Sequence, residues 1–409
     1  MSVPIPISLP RSKSIVIRCL IVNYLKNGTL LPIYDNDPND IKVVYNALKT
    51  ISERPKTLVA CVINVEDCGA AYRFLMAVLA TTHGKWLLTG TPRLLERPIL
   101  PLVNFLNNNG ANIQKTDLGW LIEGAKLQIE DCDIESSETS QYASAIMMVS
   151  DSLHSQFSIL NSQFSILNSQ FSIPYLKLTI TILHTQNLST LLTRADWSAA
   201  AFWIANALLT TNAHYLLKDL HFDGLQGDAE MVQWFTEWGL IFTETKYGIE
   251  VKHEGLKNRQ LLTAKGTKLR VKPAMTNKER KVEIPPQNID VTNTPDIAMI
   301  LATLAVCYPF ELTLSGVKNL NLKESNRLDI LIHELSKFTH IEAHTQDCIT
   351  IYKRPQPLPK QFHFESYNDH RFVMAWSLFK NYGTVTIDNA NCVKKSYPEF
   401  YNPNSKSIG

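Results

Sequence analysis

Apolar residues recur at helical spacing along this chain in two different ways. In Asp40–Lys49, Arg97–Ile113, Ala229–Phe242 and Ser325–Ile341 they form one stripe with polar residues opposite, the pattern of a helix lying on a core. In Ala70–Thr82, Gln141–Val149, Ala199–Leu209, Ile297–Val306 and Arg371–Phe379 they run almost all round, which predicts buried helices. Short strand-like pieces, Lys85–Leu88, Gly119–Ile122, Glu311–Leu314 and Cys348–Tyr352, lie among them. This alternation predicts an α/β protein of repeated units, its sheets covered by helices.

Each buried run opens on a polar cluster: Asp67–Gly69, Thr139–Gln141, Asp196–Ser198, Thr294–Asp296 and Asn368–Arg371. N-capping accounts for the Ser, Thr and Asp in these clusters but not for the arginines. A buried helix whose first turn opens on a cleft offers free N–H groups and about half a positive charge to an anion. Lys13, Arg18, Arg73, Arg97, Lys323, Arg327, Arg371 and Lys395 all stand beside such starts or in short polar loops. Several helix ends aimed at one gap would therefore bind anions without any net basic charge.

Composition narrows the setting. The 409 residues call for two or three domains, and 45% hydrophobic against 19% charged residues describes a globular chain. Lys+Arg 40 against Asp+Glu 38 leaves +2, too little for a field that would hold nucleic acid or an anionic membrane. Seven scattered cysteines without metal-ligand spacing suit a reducing cytoplasm, and no metal site is expected. No signal-peptide pattern or membrane-length apolar run is present, so a cytoplasmic protein is expected. Residues 155–173 repeat SQFSILN with a period of seven, read as a tandem duplication in a surface connection.

Taken in order, the polar clusters resemble the motifs of the 5-enolpyruvylshikimate-3-phosphate synthase family over nearly the whole chain. Lys13–Arg18 is similar to KSxxxR, Asp67–Arg73 to NAGTxxR, Thr139-Ser140-Gln141 to SSQ, Pro174-Tyr175 to SRPY and Asp196–Ala200 to (G/S)DxSxA. Leu88-Thr89-Gly90, Glu96–Ile99, Gln226-Gly227-Asp228, Thr294-Pro295-Asp296, Lys323–Arg327, Tyr367–Arg371 and Lys395–Pro398 follow in family order.

The resemblance implies a two-domain inside-out α/β barrel built from βαβαββ units, with a first domain of residues 12–224 and a second of 1–11 and 225–409. It implies a monomer acting on phosphoenolpyruvate and shikimate 3-phosphate without metal or organic cofactor. The methylene carbon of phosphoenolpyruvate is protonated, the 5-hydroxyl of shikimate 3-phosphate attacks its C2, and the adduct expels phosphate. By resemblance, Asp296 handles the hydroxyl proton, Glu324 the methylene proton, and Lys13 touches both substrates. Ser14, Arg18, Thr139, Ser140, Gln141, Ser172, Tyr175, Asn319 and Lys323 would hold shikimate 3-phosphate. Gly69, Arg97, Gln141, Arg327, Arg371 and Lys395 would hold phosphoenolpyruvate, the arginines as bidentate donors.

Four positions depart from the pattern. Asp67 and Ala70 replace the family Asn and Thr around Gly69, and a carboxylate about 4 Å from a phosphate charge costs on the order of 4 kcal/mol at an effective dielectric of 20. Arg11 replaces a Gly, Asn326 an Asp, and the stretch from Pro174 to Asp196 leaves room for one short helix where the family has more structure. Two alternatives follow: a non-catalytic relative that still binds phosphorylated ligand, and a transferase acting on UDP-N-acetylglucosamine.

Overall fold

The computed structural model describes residues 3–54, 59–128, 139–152, 173–185, 187–253 and 284–401. The heptad-like repeat, Ser172 and Cys132 lie outside them. The first half contains β1 (Ile5–Ile7), α1 (Lys13–Asn27), α2 (Asn39–Ser52), β2 (Cys61–Asn64), α3 (Gly69–Thr81), β3 (Gly84–Thr89), α4 (Pro92–Leu95), α5 (Leu100–Asn108), β4 (Asn112–Thr116) and β5 (Gly119–Gly124). Then come α6 (Gln141–Ser152), α7 (Ile173–His184), α8 (Ser189–Leu192), α9 (Trp197–Leu209), β6 (His214–Lys218), α10 (Met231–Glu237), β7 (Leu240–Thr245) and β8 (Gly248–His253). The last part has β9 (Gln287–Asp290), α11 (Ala298–Cys307), β10 (Leu312–Ser315), α12 (Arg327–Leu335), β11 (Ile341–Thr345), β12 (Cys348–Ile351), β13 (Gln361–Glu365), α13 (His370–Trp376) and β14 (Thr384–Asp388).

Three four-stranded sheets share one plan: a parallel pair, then a hairpin added antiparallel to the second strand. Their orders are β2-β3-β5-β4, β1-β6-β8-β7 and β9-β10-β12-β11. In each, an apolar helix (α3, α9 or α11) precedes the second strand and a one-sided helix (α5, α10 or α12) precedes the hairpin. β13 and β14 pair in parallel around α13. Among the described residues no strand lies between Gly124 and His214, and from Pro174 to Asp196, where one short helix was expected, two helices stand, α7 and α8.

Two cores result. One gathers residues between Ile15 and Leu191, together with Leu225; the other gathers Ile7, residues 195–251 and residues 284–400. The chain passes between them twice, side by side. Ser12 N–H donates to the Arg194 carbonyl at 2.8 Å, and Asp196 N–H to the Pro10 carbonyl at 3.0 Å. Core residues change from the first cluster to the second between Leu191 and Ala195, with Leu225 still packed on the first. The cause of this change is non-local: β1, from the N-terminus, supplies the parallel partner of β6.

Helix α1 is not among the helices expected from the pattern, although every residue from Ile15 to Asn23 is buried, as in α3 and α11. Gly28 ends it in the left-handed conformation at φ 65°, its N–H on the Tyr24 carbonyl at 2.9 Å. Other helix starts behave as their residues dictate. Asp196 accepts from Ala199 N–H at 3.1 Å and Asp369 from Arg371 N–H at 2.9 Å. No helix among the described residues is long and apolar enough to cross a membrane.

Candidate active site

The first turns of α11, α12 and α13 meet at Arg327, which is 1% exposed. Its Nη1 donates to Asp296 Oδ1, its Nη2 to Glu324 Oε2 and its Nε to Asp369 Oδ2, each at 2.8 Å. Arg371 Nη2 donates to the other Asp296 oxygen at 2.8 Å. Asp296 thus lies between two buried guanidiniums, and Asp369 caps α13 while holding Arg327. Asn321 fixes the start of α12 by accepting from Leu328 N–H at 2.9 Å.

The other core meets this cluster across a cleft. Arg97 Nε donates to the Leu322 carbonyl at 3.2 Å, and its Nη1 stands 3.9 Å from Glu324. Arg73 Nη1 donates to Gln141 Oε1 at 2.9 Å and to the Gly69 carbonyl at 3.2 Å, tying the starts of α3 and α6 together. Lys395 Nζ lies 2.6 Å from Asp67 and 3.8 Å from Glu324. Lys13 Nζ donates to Asp40 at 3.0 Å and to Ser396 Oγ at 2.6 Å. The segment carrying Lys395 and Ser396 is anchored by buried Tyr397, which donates to the Ser8 carbonyl and accepts from Trp203 Nε1.

Burial opposes ionisation of Asp296, yet Arg371, Arg327 and Lys323 hold its carboxyl well below the usual range. Burial likewise opposes ionisation of Glu324, and Arg327, Lys395 and Arg97 outweigh it. Both carboxylates are therefore ionised before any ligand arrives. Burial and the surrounding Lys13 and Arg371 keep His370 neutral, with neither ring nitrogen hydrogen-bonded among the described residues. Burial lowers Lys323, while Asp40, Glu324 and Asp67 overcome burial to hold Lys395 charged.

Lys13, Gly69, Arg97, Gln141, Asp296, Glu324, Lys323, Arg327, Arg371 and Lys395 are thus gathered in or beside one cleft. Ser14 follows Lys13 in the first turn of α1, Thr139 and Ser140 head α6, and Asn319 sits in the turn before Lys323. Tyr175 lies in α7. Arg18 does not join the cluster: it is 3% exposed and donates to Thr179 and Ser144 between α6 and α7, and to the Ser14 carbonyl. Arg11 pairs with Asp37 at 2.7 Å and lies over the Tyr34 ring, bracing the crossover. Asn326 accepts from Arg93 Nη2 at 2.8 Å across the cleft. Asp67, read above as a repulsive carboxylate, is paired with Lys395.

Asp40, Asp369, Ser396 and Asp228 were not singled out as site residues from sequence, since their partners are distant in the chain. Ser198 donates to Asp228, whose carboxyl burial and Asp296 push up to about 7. The pKa is raised above the unfolded value of 3.8, so the stability linked to this group is present below that value and is lost as pH rises to about 7. Asp228→Asn is expected to melt higher than the parent at pH 8, by up to about 4 kcal/mol, with the gap narrowing toward pH 5. Thermal unfolding across that range checks it.

Gly69 is required by close approach. A Cβ there would meet Arg97 Nη1 at 2.5 Å. Because the clash falls on the flexible end of a side chain, Gly69→Ala is expected to fold within about 1 kcal/mol of the parent but displace Arg97. Anion affinity should fall about tenfold or more, read by calorimetry with inorganic phosphate.

The architecture matches solved enolpyruvyl transferases. An EPSP synthase from Acinetobacter baumannii superposes with a TM-score of 0.63 at 18% identity, covering 98% of this chain and 95% of that one. The enolpyruvyl transferase NikO from Streptomyces tendae superposes with a TM-score of 0.60 at 13% identity, covering 98% and 93%. The family model EPSP synthase (3-phosphoshikimate 1-carboxyvinyltransferase) matches residues 35–403, and the chain belongs to that family. Among its relatives, the 3-phosphoshikimate 1-carboxyvinyltransferase of Bacteroides fragilis is 28% identical, with 97% of this chain and 93% of the relative covered. That of Tolumonas auensis is 27% identical, with 97% and 94% covered.

Proposed function

We propose that this chain transfers the enolpyruvyl group of phosphoenolpyruvate to the 5-hydroxyl of shikimate 3-phosphate, releasing phosphate. The observation that carries the reading is Asp296: an ionised carboxylate held between Arg327 and Arg371, 29% exposed to a cleft ringed by Arg97, Lys13 and Lys395. A base must face a hydroxyl while cations gather two phosphates and two carboxylates, and this cleft supplies both. The two cores are read as the two lobes of an inside-out α/β barrel whose closure excludes water from the reacting groups.

In this reading Arg97, Arg371, Arg327 and Lys395, with the Gly69 end of α3, hold phosphoenolpyruvate. Lys13 bridges both substrates. Ser14, Thr139, Ser140, Gln141, Ser172, Tyr175, Asn319 and Lys323 hold shikimate 3-phosphate, and buried Arg18 serves by positioning α1 against α6 and α7. Asp296 accepts the hydroxyl proton. Glu324 is ionised by its cationic neighbours, so it can deliver a proton to the methylene carbon only after an anionic substrate has engaged Arg327, Arg97 and Lys395 and raised its proton affinity. Calorimetric titration tests the substrate class: shikimate 3-phosphate is expected to bind and UDP-N-acetylglucosamine to give no heat. The reverse result would overturn the assignment.

A further inference from the structure

The anion-binding end of α3 contains a carboxylate belonging to the chain itself. Lys395 Nζ donates to Asp67 Oδ2 at 2.6 Å and to the Asp67 carbonyl at 3.3 Å, so one ammonium is held twice by one residue. The partners belong to different cores, and the pair therefore spans the cleft. Lys395 is 10% exposed at its side chain and Asp67 42%, so the cation is enclosed while the carboxylate stays accessible. A cavity of about 630 Å³ opens over them, bordered by Lys42, Asp37 and Lys394.

The turn carrying Asp67 is held in place before any ligand binds. Glu66 adopts φ 53°, its N–H on Asn64 Oδ1 at 2.9 Å, and its carbonyl accepts from Thr91 N–H at 2.7 Å. Beside it, Arg97 is 9% exposed and its Nη1 has no hydrogen-bond partner among the described residues, although it lies against Gly69. An unsatisfied buried guanidinium donor next to a helix start points to an anion. Lys395, which shares Glu324 as a neighbour with Arg97, is already engaged by Asp67.

We propose that Asp67 is an internal counter-ion for Lys395, and that phosphoenolpyruvate gains this lysine only by displacing it, so that Asp67 sets the affinity of the chain for its smaller substrate. The proposal rests on the reading given under Proposed function. A neutral Asn at position 67 could still accept from Lys395 but would not compete with a phosphate for the full charge of the ammonium. Shikimate 3-phosphate, held by other residues, is unaffected.

The test uses the full chain with Asp67→Asn, Lys395→Met and the double variant, titrated with inorganic phosphate and with phosphoenolpyruvate in the presence of shikimate 3-phosphate. Asp67→Asn is expected to tighten both anions at least about tenfold while moving shikimate 3-phosphate by less than about twofold. In the Lys395→Met background the same substitution is expected to give no gain, because the competition is then absent. Unchanged or weaker anion binding in Asp67→Asn would overturn the proposal. So would a gain that survives without Lys395. Should the parent chain produce no enolpyruvyl product, the enzymatic reading fails, while the inorganic phosphate titrations still decide the role of Asp67.

Discussion

Asp296→Asn is expected to lower turnover by about two to four orders of magnitude while leaving shikimate 3-phosphate affinity within a few fold. The amide keeps the shape of the carboxylate and can still accept a hydrogen bond from Arg327 or Arg371, both 2.8 Å away in the parent. It cannot accept a proton. Single-turnover kinetics and calorimetry on the same preparation separate the two effects. Loss of binding and turnover together would make Asp296 a structural counter-ion for the two arginines rather than the base.

Arg327→Met is expected to have the largest effect on stability, a loss of about 3–5 kcal/mol read from denaturant unfolding. The side chain is 1% exposed and joins three carboxylates from three different elements. Removing it leaves Asp369, 0% exposed, with Ser325 Oγ as its remaining side-chain hydrogen-bond donor among the described residues. Asp296 and Glu324 retain Arg371, Lys395 and Arg97 nearby, so the damage centres on the α12–α13 junction. Arg327→Lys keeps one charge but cannot serve three acceptors in a plane, and most of the loss should remain. Stability of Arg327→Met within about 1 kcal/mol of the parent would show that the network is already compensated by water.

The contrast between these two residues shows what was readable in the chain. Asp296 stands at the start of an apolar run, so its position follows from local pattern, whereas its acidity depends on Arg371 and Arg327, distant in the chain. Likewise α3, α6, α9 and α11 announce themselves through a polar cluster before a long apolar segment. Helix α1 was not expected, although it is buried on all sides like α3 and α11, and the crossover near Arg194 gave no signal because β1 finds its partner β6 some two hundred residues away in sequence. Charge pairing was the least legible. Lys395 and Asp67 are separated by 328 positions, so the sequence alone shows a carboxylate in an anion site but not the cation that holds it. Arg327 reads as a substrate ligand from its motif; its link to Asp369 depends on how α12 and α13 meet.

Mixing the chain at high concentration with shikimate 3-phosphate and millimolar phosphoenolpyruvate, and quenching over a single turnover, tests the central claim most directly. Inorganic phosphate and an enolpyruvyl ether of shikimate 3-phosphate should appear in equal amounts, and neither should form when either substrate is omitted. Saturating binding of both compounds with no phosphate released would contradict it.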